Sequence, residues 1–174
     1  KMMKLSSKEK TLIKDNNSNK YELKEFKYFY DIKLLKGIDV KIITNESKKK
    51  SDIFFFKEAF IDFMNDKFIS KNTEILLHKN LLDSERNLET NQTSKFIGRN
   101  DPRISSVSSS GNQEKTVLNK AIFTSCEKND NCPPWSIKAD TITHDKIKKE
   151  IFYKNAILNI YDVPVFYFPK FFHP

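Results

Sequence analysis

The side chains able to do chemistry are few and scattered. They are Cys126 and Cys132, three histidines (His78, His144 and His173), a serine-rich run at 105–110, and Asp140 and Asp145 near the C-terminal end. The two cysteines enclose the polar segment EKNDN, so they do not form the CxxC of a redox enzyme or zinc ribbon. No pair among Cys126, Cys132, His78, His144 and His173 has a standard ligand spacing, and no metal site is expected. The serine run has no GxSxG elbow and no evident His–Asp partner, and reads as a loop. Asp140, His144 and Asp145 lie around an expected turn, where such residues serve the backbone. No catalytic set and no cofactor-binding motif emerge, and the expectation is a protein that is not an enzyme.

Polar flanks argue against Cys126 and Cys132 as a pair of buried thiols. In an exported protein they would form a disulfide with each other.

The elements that must position these residues are strands. The chain has 174 residues, enough for one domain or one elongated repeat-built domain. Hydrophobic residues make up 38%, heavily aromatic with 15 Phe and 6 Tyr, while Gly numbers only 3. The net charge of +8 suits an anionic partner: nucleic acid, a membrane surface or a phosphorylated glycolipid. Lys far exceeds Arg, which counts against a dedicated reader of nucleic-acid phosphates. No apolar run approaches the roughly 18 residues of a membrane-spanning helix. No signal peptide is visible at the N-terminus.

Residues 1–20 are polar and read as a frayed end or a first edge strand. Beyond them, 21–174 reads as one β-domain. Strands are expected at 21–23, 26–30, 31–35 and 40–43, with a turn at Lys36-Gly37. Residues 53–56 form an apolar strand covered on both faces. Residues 57–65 fit a helix face as well as a strand; the neighbouring Ile/Phe strands, together with the family resemblance given below, assign them to strand. Phe60-Ile61-Asp62-Phe63 echoes Phe29-Tyr30-Asp31-Ile32 at a spacing of 31 residues, suggesting a degenerate strand–turn–strand repeat. A flexible excursion is expected around 84–115, with short strands at 95–98 and 104–108. The β signal then holds to the end: 121–126, the alternating Trp135, Ile137 and Ala139, then 151–153, 156–161 and 163–168. Pro164 marks this last strand as an edge or opens it.

FTSC, CPPWSIKAD, HDK, YKNAIL and YDVPVFYFPKFFHP, in that order over 121–174, resemble the periplasmic domain of the LptD (OstA) family of outer-membrane lipopolysaccharide-assembly proteins. The resemblance is weaker over 21–119. It implies an all-β, open-edged antiparallel β-jelly-roll or V-shaped β-sandwich on the periplasmic side of the outer membrane. Family chains continue into a large β-barrel, so this chain resembles a fragment without it. The implied ligand is lipopolysaccharide. The implied partners are an LptA-like bridge protein, held by edge-strand pairing, and an LptE-like lipoprotein reached through the barrel. The resemblance also offers Cys126 a different partner, a cysteine near the end of the barrel, and the two pairings stay open.

Two splayed sheets would leave an apolar trough for acyl chains. Alternation assigns its lining to Phe54, Phe56, Phe63, Ile75, Leu77, Phe123, Trp135, Ile137, Leu158 and Ile160. A one-residue slip would turn any of these sets outward. The competing reading is a basic, aromatic β-domain that stacks on single-stranded nucleic acid. A third is a closed sandwich with no ligand.

Overall fold

The computed structural model describes residues 3–16, 18–44, 52–77, 102–126 and 134–173. They form one antiparallel sheet of eleven strands. The strands are β1 (Lys4–Ser7), β2 (Thr11–Lys14), β3 (Lys20–Phe29), β4 (Leu34–Ile43), β5 (Ile53–Asp62), β6 (Lys67–Leu76), β7 (Arg103–Asn112), β8 (Lys115–Thr124), β9 (Trp135–Asp145), β10 (Glu150–Ile160) and β11 (Val163–His173). Short β1 and β2 share one edge of β3, and every later strand pairs with its sequence neighbours. The all-β, open-edged expectation therefore holds, and the N-terminal residues do form an edge.

The sheet is folded on itself along its mid-line. Phe68 pairs through Ile61, seven residues from Phe54 on the same strand. Seven extended residues span about 23 Å. Yet the Phe54 and Phe68 rings lie 6.5 Å apart. Phe123 and His173 meet likewise at 5.3 Å, although His173 lies in register with Ile151, His144 and Thr116.

The bend comes from a slip in alternation that recurs in every strand from β3 to β10. Inward side chains run with period 2 in each half but are three residues apart at the middle: Leu23/Phe26, Gly37/Val40, Phe56/Ala59, Ser70/Thr73, Ser106/Ser109, Leu118/Ala121, Ala139/Ile142 and Tyr153/Ala156. Register is unchanged across the slip, so these residues form two continuous rows. In β4, β6, β8 and β10 the step is made by a residue with positive φ: Asp39, Asn72, Lys120 and Asn155. Asn and Asp tolerate this region better than other non-glycine residues.

Inside the bend the two rows face each other at close quarters. Seven of the eight pairs therefore contain Gly, Ala, Ser or Thr. In β4 and β5 the large member lies on one side (Val40, Phe56); in β8 to β10, apart from small Ala partners, it lies on the other (Leu118, Ile142, Tyr153). Between them Ser70, Thr73 and Ser109 fill the corner with mutually bonded hydroxyls at 2.6–2.9 Å. Buried polar groups are tolerated when paired in this way. On the outer surface of the same line, Lys24 and Lys57 flank the Asp39 carboxylate, and Asn155 donates to Asp140 at 2.8 Å.

Several expected boundaries move for one reason. The segments 21–23 and 26–30 are a single strand, β3, and 151–153 and 156–161 are a single strand, β10. The slip in alternation imitates a break. Gly37 is not in a turn but within β4; the turn lies at 30–33, across the expected junction of strands 26–30 and 31–35. Asp140 is at mid-strand in β9 rather than beside a turn. The serine run is strand β7, not a loop, so 103–112 of the expected excursion is paired on both sides. Residues 84–101 and the short strand expected at 95–98 lie outside the described residues. The strand–turn–strand form recurs, but not at 31 residues: equivalent mid-strand positions are 33 apart from β3–β4 to β5–β6 (24 to 57, 39 to 72), and 33 and 35 apart from β7–β8 to β9–β10 (107 to 140, 120 to 155).

The corner generates two stability predictions. A Cβ on Gly37 would lie 2.5 Å from Val40 Cγ2 and 2.8 Å from Leu23 Cδ2. Gly37→Ala should cost about 1–3 kcal/mol through overpacking. Lys120→Gly should gain about 1 kcal/mol by relieving a left-handed non-glycine residue. Urea unfolding measures both, and a Gly37→Ala variant as stable as wild type would mean the two rows do not meet.

Candidate functional site

The candidate site is the interior of the folded sheet. On one half, Tyr21, Ile42, Phe54, Ile75, Ile104, Phe123, Ile137, Leu158 and Phe166 follow one another in register across nine strands. Five of the expected lining residues (Phe54, Ile75, Phe123, Ile137 and Leu158) stand in this one row, and Phe56 stands in the next row toward the bend. Leu77 is buried just beyond β6, its N–H bonded to Pro102 O at 2.9 Å. Phe63 follows β5 on the opposite half, in edge contact with Tyr21 at 5.9 Å.

Exposure changes along this row. Phe54, Ile75, Ile104 and Phe123 are buried against the facing half, where Phe56 and Phe68 come within 5.5 Å of each other. Over β3–β8 the interior is therefore a packed core, not an open trough. Toward β11 the cover is lost. Trp135, Ile137, Phe168 and Phe171 are partly buried, Ile160 is 46% exposed and Phe166 is 64% exposed. Phe166 and Phe168 stack at 6.2 Å, and Phe168 and Phe171 lie at 5.5 Å. The inward apolar face thus meets solvent at the β9–β11 end. Alternation from Val163 would select Val165 and Tyr167; the register shift at Leu158/Asn159 brings Phe166 and Phe168 inward instead, and neither it nor the facing ring contacts can be read from a local pattern.

Cys126 follows β8, and its thiol points toward Trp135 O at 3.7 Å. Arg103 binds the Cys126 carbonyl, and Thr124 donates to Trp135 O at 2.8 Å. Among the described residues Cys126 has no disulfide partner. Cys132 lies outside the described residues, as does His78, so the pairing question is untouched by these contacts.

His144 is a member of the interior that the sequence placed in a turn. It sits at the end of β9, beside Thr116 of β8 and Ile151 of β10. It is buried, and its Nδ1 has no hydrogen-bond partner; nor has the Thr116 hydroxyl. Lys146, in the following turn, lays its ammonium over the Phe54 ring of the facing half at 4.9 Å. Burial holds the His144 imidazole below its ordinary pKa; the charge of Asp52 opposes this, and Lys146 adds to it. Asp145 carries its own compensation, from the Lys148 N–H and from Lys115. His173 is bonded to the Tyr153 hydroxyl at 2.8 Å. Burial raises the Tyr153 pKa, which keeps the phenol neutral.

No protein-family profile matches this chain, and no curated protein matches it.

The position of His144 makes stability depend on pH. Its folded pKa is depressed, so the unfolded chain takes up the proton first. The contribution is present above the ordinary value of 6.5 and is lost as pH falls through 6.5 toward the depressed value. Unfolding midpoints at pH 8, 6 and 5 should fall less steeply for His144→Asn than for wild type. Parallel curves would remove His144 as the source.

Proposed function

We propose that this domain carries lipopolysaccharide, sheltering its acyl chains inside the folded sheet on the periplasmic side of an outer membrane. The observation that carries the reading is the graded exposure of one inward apolar row, from buried Phe123 through Ile137 and Leu158 to Phe166 at the β11 edge. Each CH₂ moved there from water gains about 0.8 kcal/mol. An acyl chain entering between β9 and β11 meets Trp135, Ile137, Leu158 and Ile160 first. Passage further requires the halves to part, since Phe54, Ile75 and Phe123 are covered by the opposite face.

The resemblance of 121–174 to the LptD (OstA) family supports the same reading. It supplies a bridge protein of like fold, pairing by its own edge strand, and a barrel with its LptE-like lipoprotein. No bond is made or broken in such transport. Among the described residues, β1/β2 and β11 each have one side with no paired strand, and these offer two edges to such partners.

One observation favours the nucleic-acid reading. On the outer face of β10–β11, Phe152 and Phe172 lie 5.7 Å apart beside the register pair Lys154 and Lys170. Tyr167 is exposed on the same strand. Oligonucleotide binding that weakens steeply with salt would select it.

Photo-crosslinking residues at Phe63, Phe123 and Leu158 test the carrier reading. Lipopolysaccharide adducts are expected at Leu158 first and at Phe123 and Phe63 as the interior opens. No adduct at any of the three sinks it.

A further inference from the structure

The interior contains a polar cluster that packing alone leaves unexplained. Thr116 and His144 are register partners on β8 and β9, both facing inward. Their relative exposures are 0% and 2%, yet neither Thr116 Oγ1 nor His144 Nδ1 has a partner. Buried groups of this kind are rare because each forfeits its hydration. Two residues further on, Lys146 turns its ammonium inward over Phe54. It forms no ion pair among the described residues. Ordinary lysines at a turn extend into solvent, as their charge prefers.

These groups are donors, or become donors by tautomer choice: a hydroxyl, an imidazole N–H and an ammonium. They come from two adjacent strands and the turn after them. The Phe54 ring of the facing half lies under the ammonium, so the cluster stands where the two halves close, away from the bend. The charged groups around it are Asp52 from the start of β5, Asp145 on its own strand, and Lys115 of β8, which pairs with Asp145 at 3.4 Å. Asp145 is thereby engaged elsewhere. Burial lowers the Lys146 pKa, and the charge of Asp52 partly offsets that lowering.

We infer that Thr116, His144 and Lys146 form an anion subsite that takes the phosphate monoester of an amphiphile whose acyl chain lies in the apolar interior. A phosphate presents three acceptor oxygens and suits three donors of different reach. The inference rests on the reading that the interior receives acyl chains. The phosphate itself could belong to a lipid head group or be free, and the test separates these sources.

The full chain, labelled with ¹⁵N-histidine and assigned with His144→Gln, is titrated with dodecyl phosphate, dodecyl maltoside and inorganic phosphate. Dodecyl phosphate should move the His144 ring resonances and raise their titration midpoint, and dodecyl maltoside should not. Lys146→Gln should weaken dodecyl phosphate roughly ten-fold while leaving dodecyl maltoside unchanged, and Lys146→Arg should restore most of the loss. Backbone spectra check that each variant is folded. If both amphiphiles bind alike and Lys146→Gln is silent, the subsite is overturned and the acyl-chain reading survives. If inorganic phosphate alone moves His144, the anion site stands and the acyl-chain reading fails. If none of the three moves His144, the subsite is overturned.

Discussion

Everything in this molecule depends on one geometric constraint: residues on both sides of the sheet's mid-line must point into the same interior. A strand with unbroken period 2, bent back on itself, would not bring its inward residues together correctly across the corner. The chain resolves this by adding one position to the alternation of every long strand, at the same level in each. A left-handed residue costs about 1–2 kcal/mol. Burying one Leu, Ile or Phe contributes about 1.5–3 kcal/mol. Each strand that carries a left-handed residue has two or more such side chains inside, so the bend is favourable even where a lysine, Lys120, must adopt the strained conformation.

The corner then dictates composition. Two facing rows cannot both be large, and the large member changes sides between β5 and β8. Where it changes, β6 and β7 carry only Ser and Thr at the bend; the hydroxyls of Ser70, Thr73 and Ser109 satisfy one another, while that of Ser106 is buried without a partner. The serine-rich run is therefore a paired strand and not a loop. Its small side chains are what let the sheet close where no large residue is available from either half.

The all-β class, the edge strands and much of the interior were legible because alternation within each half-strand is clean. Phe54, Phe56, Ile75 and Phe123 are inward as the period-2 pattern implies. What was not legible is the slip. With no structure to show register continuing across it, Leu23/Phe26 and Tyr153/Ala156 look like strand ends, and Gly37 looks like a turn. His144 was obscured for a related reason. Its burial comes from the opposite half of the sheet, and contacts across a fold are invisible to a local pattern. The open trough was likewise an inference from faces alone. Facing aromatics such as Phe54 and Phe68 fill it over β3–β8, and only the uncovered end retains an exposed apolar face.

The two edges of the sheet are not equivalent, and this bears on how a folded sheet with an apolar interior avoids uncontrolled association. At the N-terminal edge, β1 and β2 are four residues each, and the pairing with β3 shifts by one residue between Ser7↔Phe26 and Thr11↔Leu23. Short, interrupted and lysine-bearing strands are poor templates for a further strand. At the other edge, β11 runs for eleven residues, with one register shift at Leu158/Asn159. Its protection is Pro164 and Pro169, each without a backbone donor, and Lys170. It also carries the exposed Val163, Phe166, Tyr167 and Phe172. Cover for the apolar interior is thinnest on the same side. A strand added to β11 would extend both the ladder and the row that ends at Phe166, so edge pairing and continuation of the apolar interior are one event on that side.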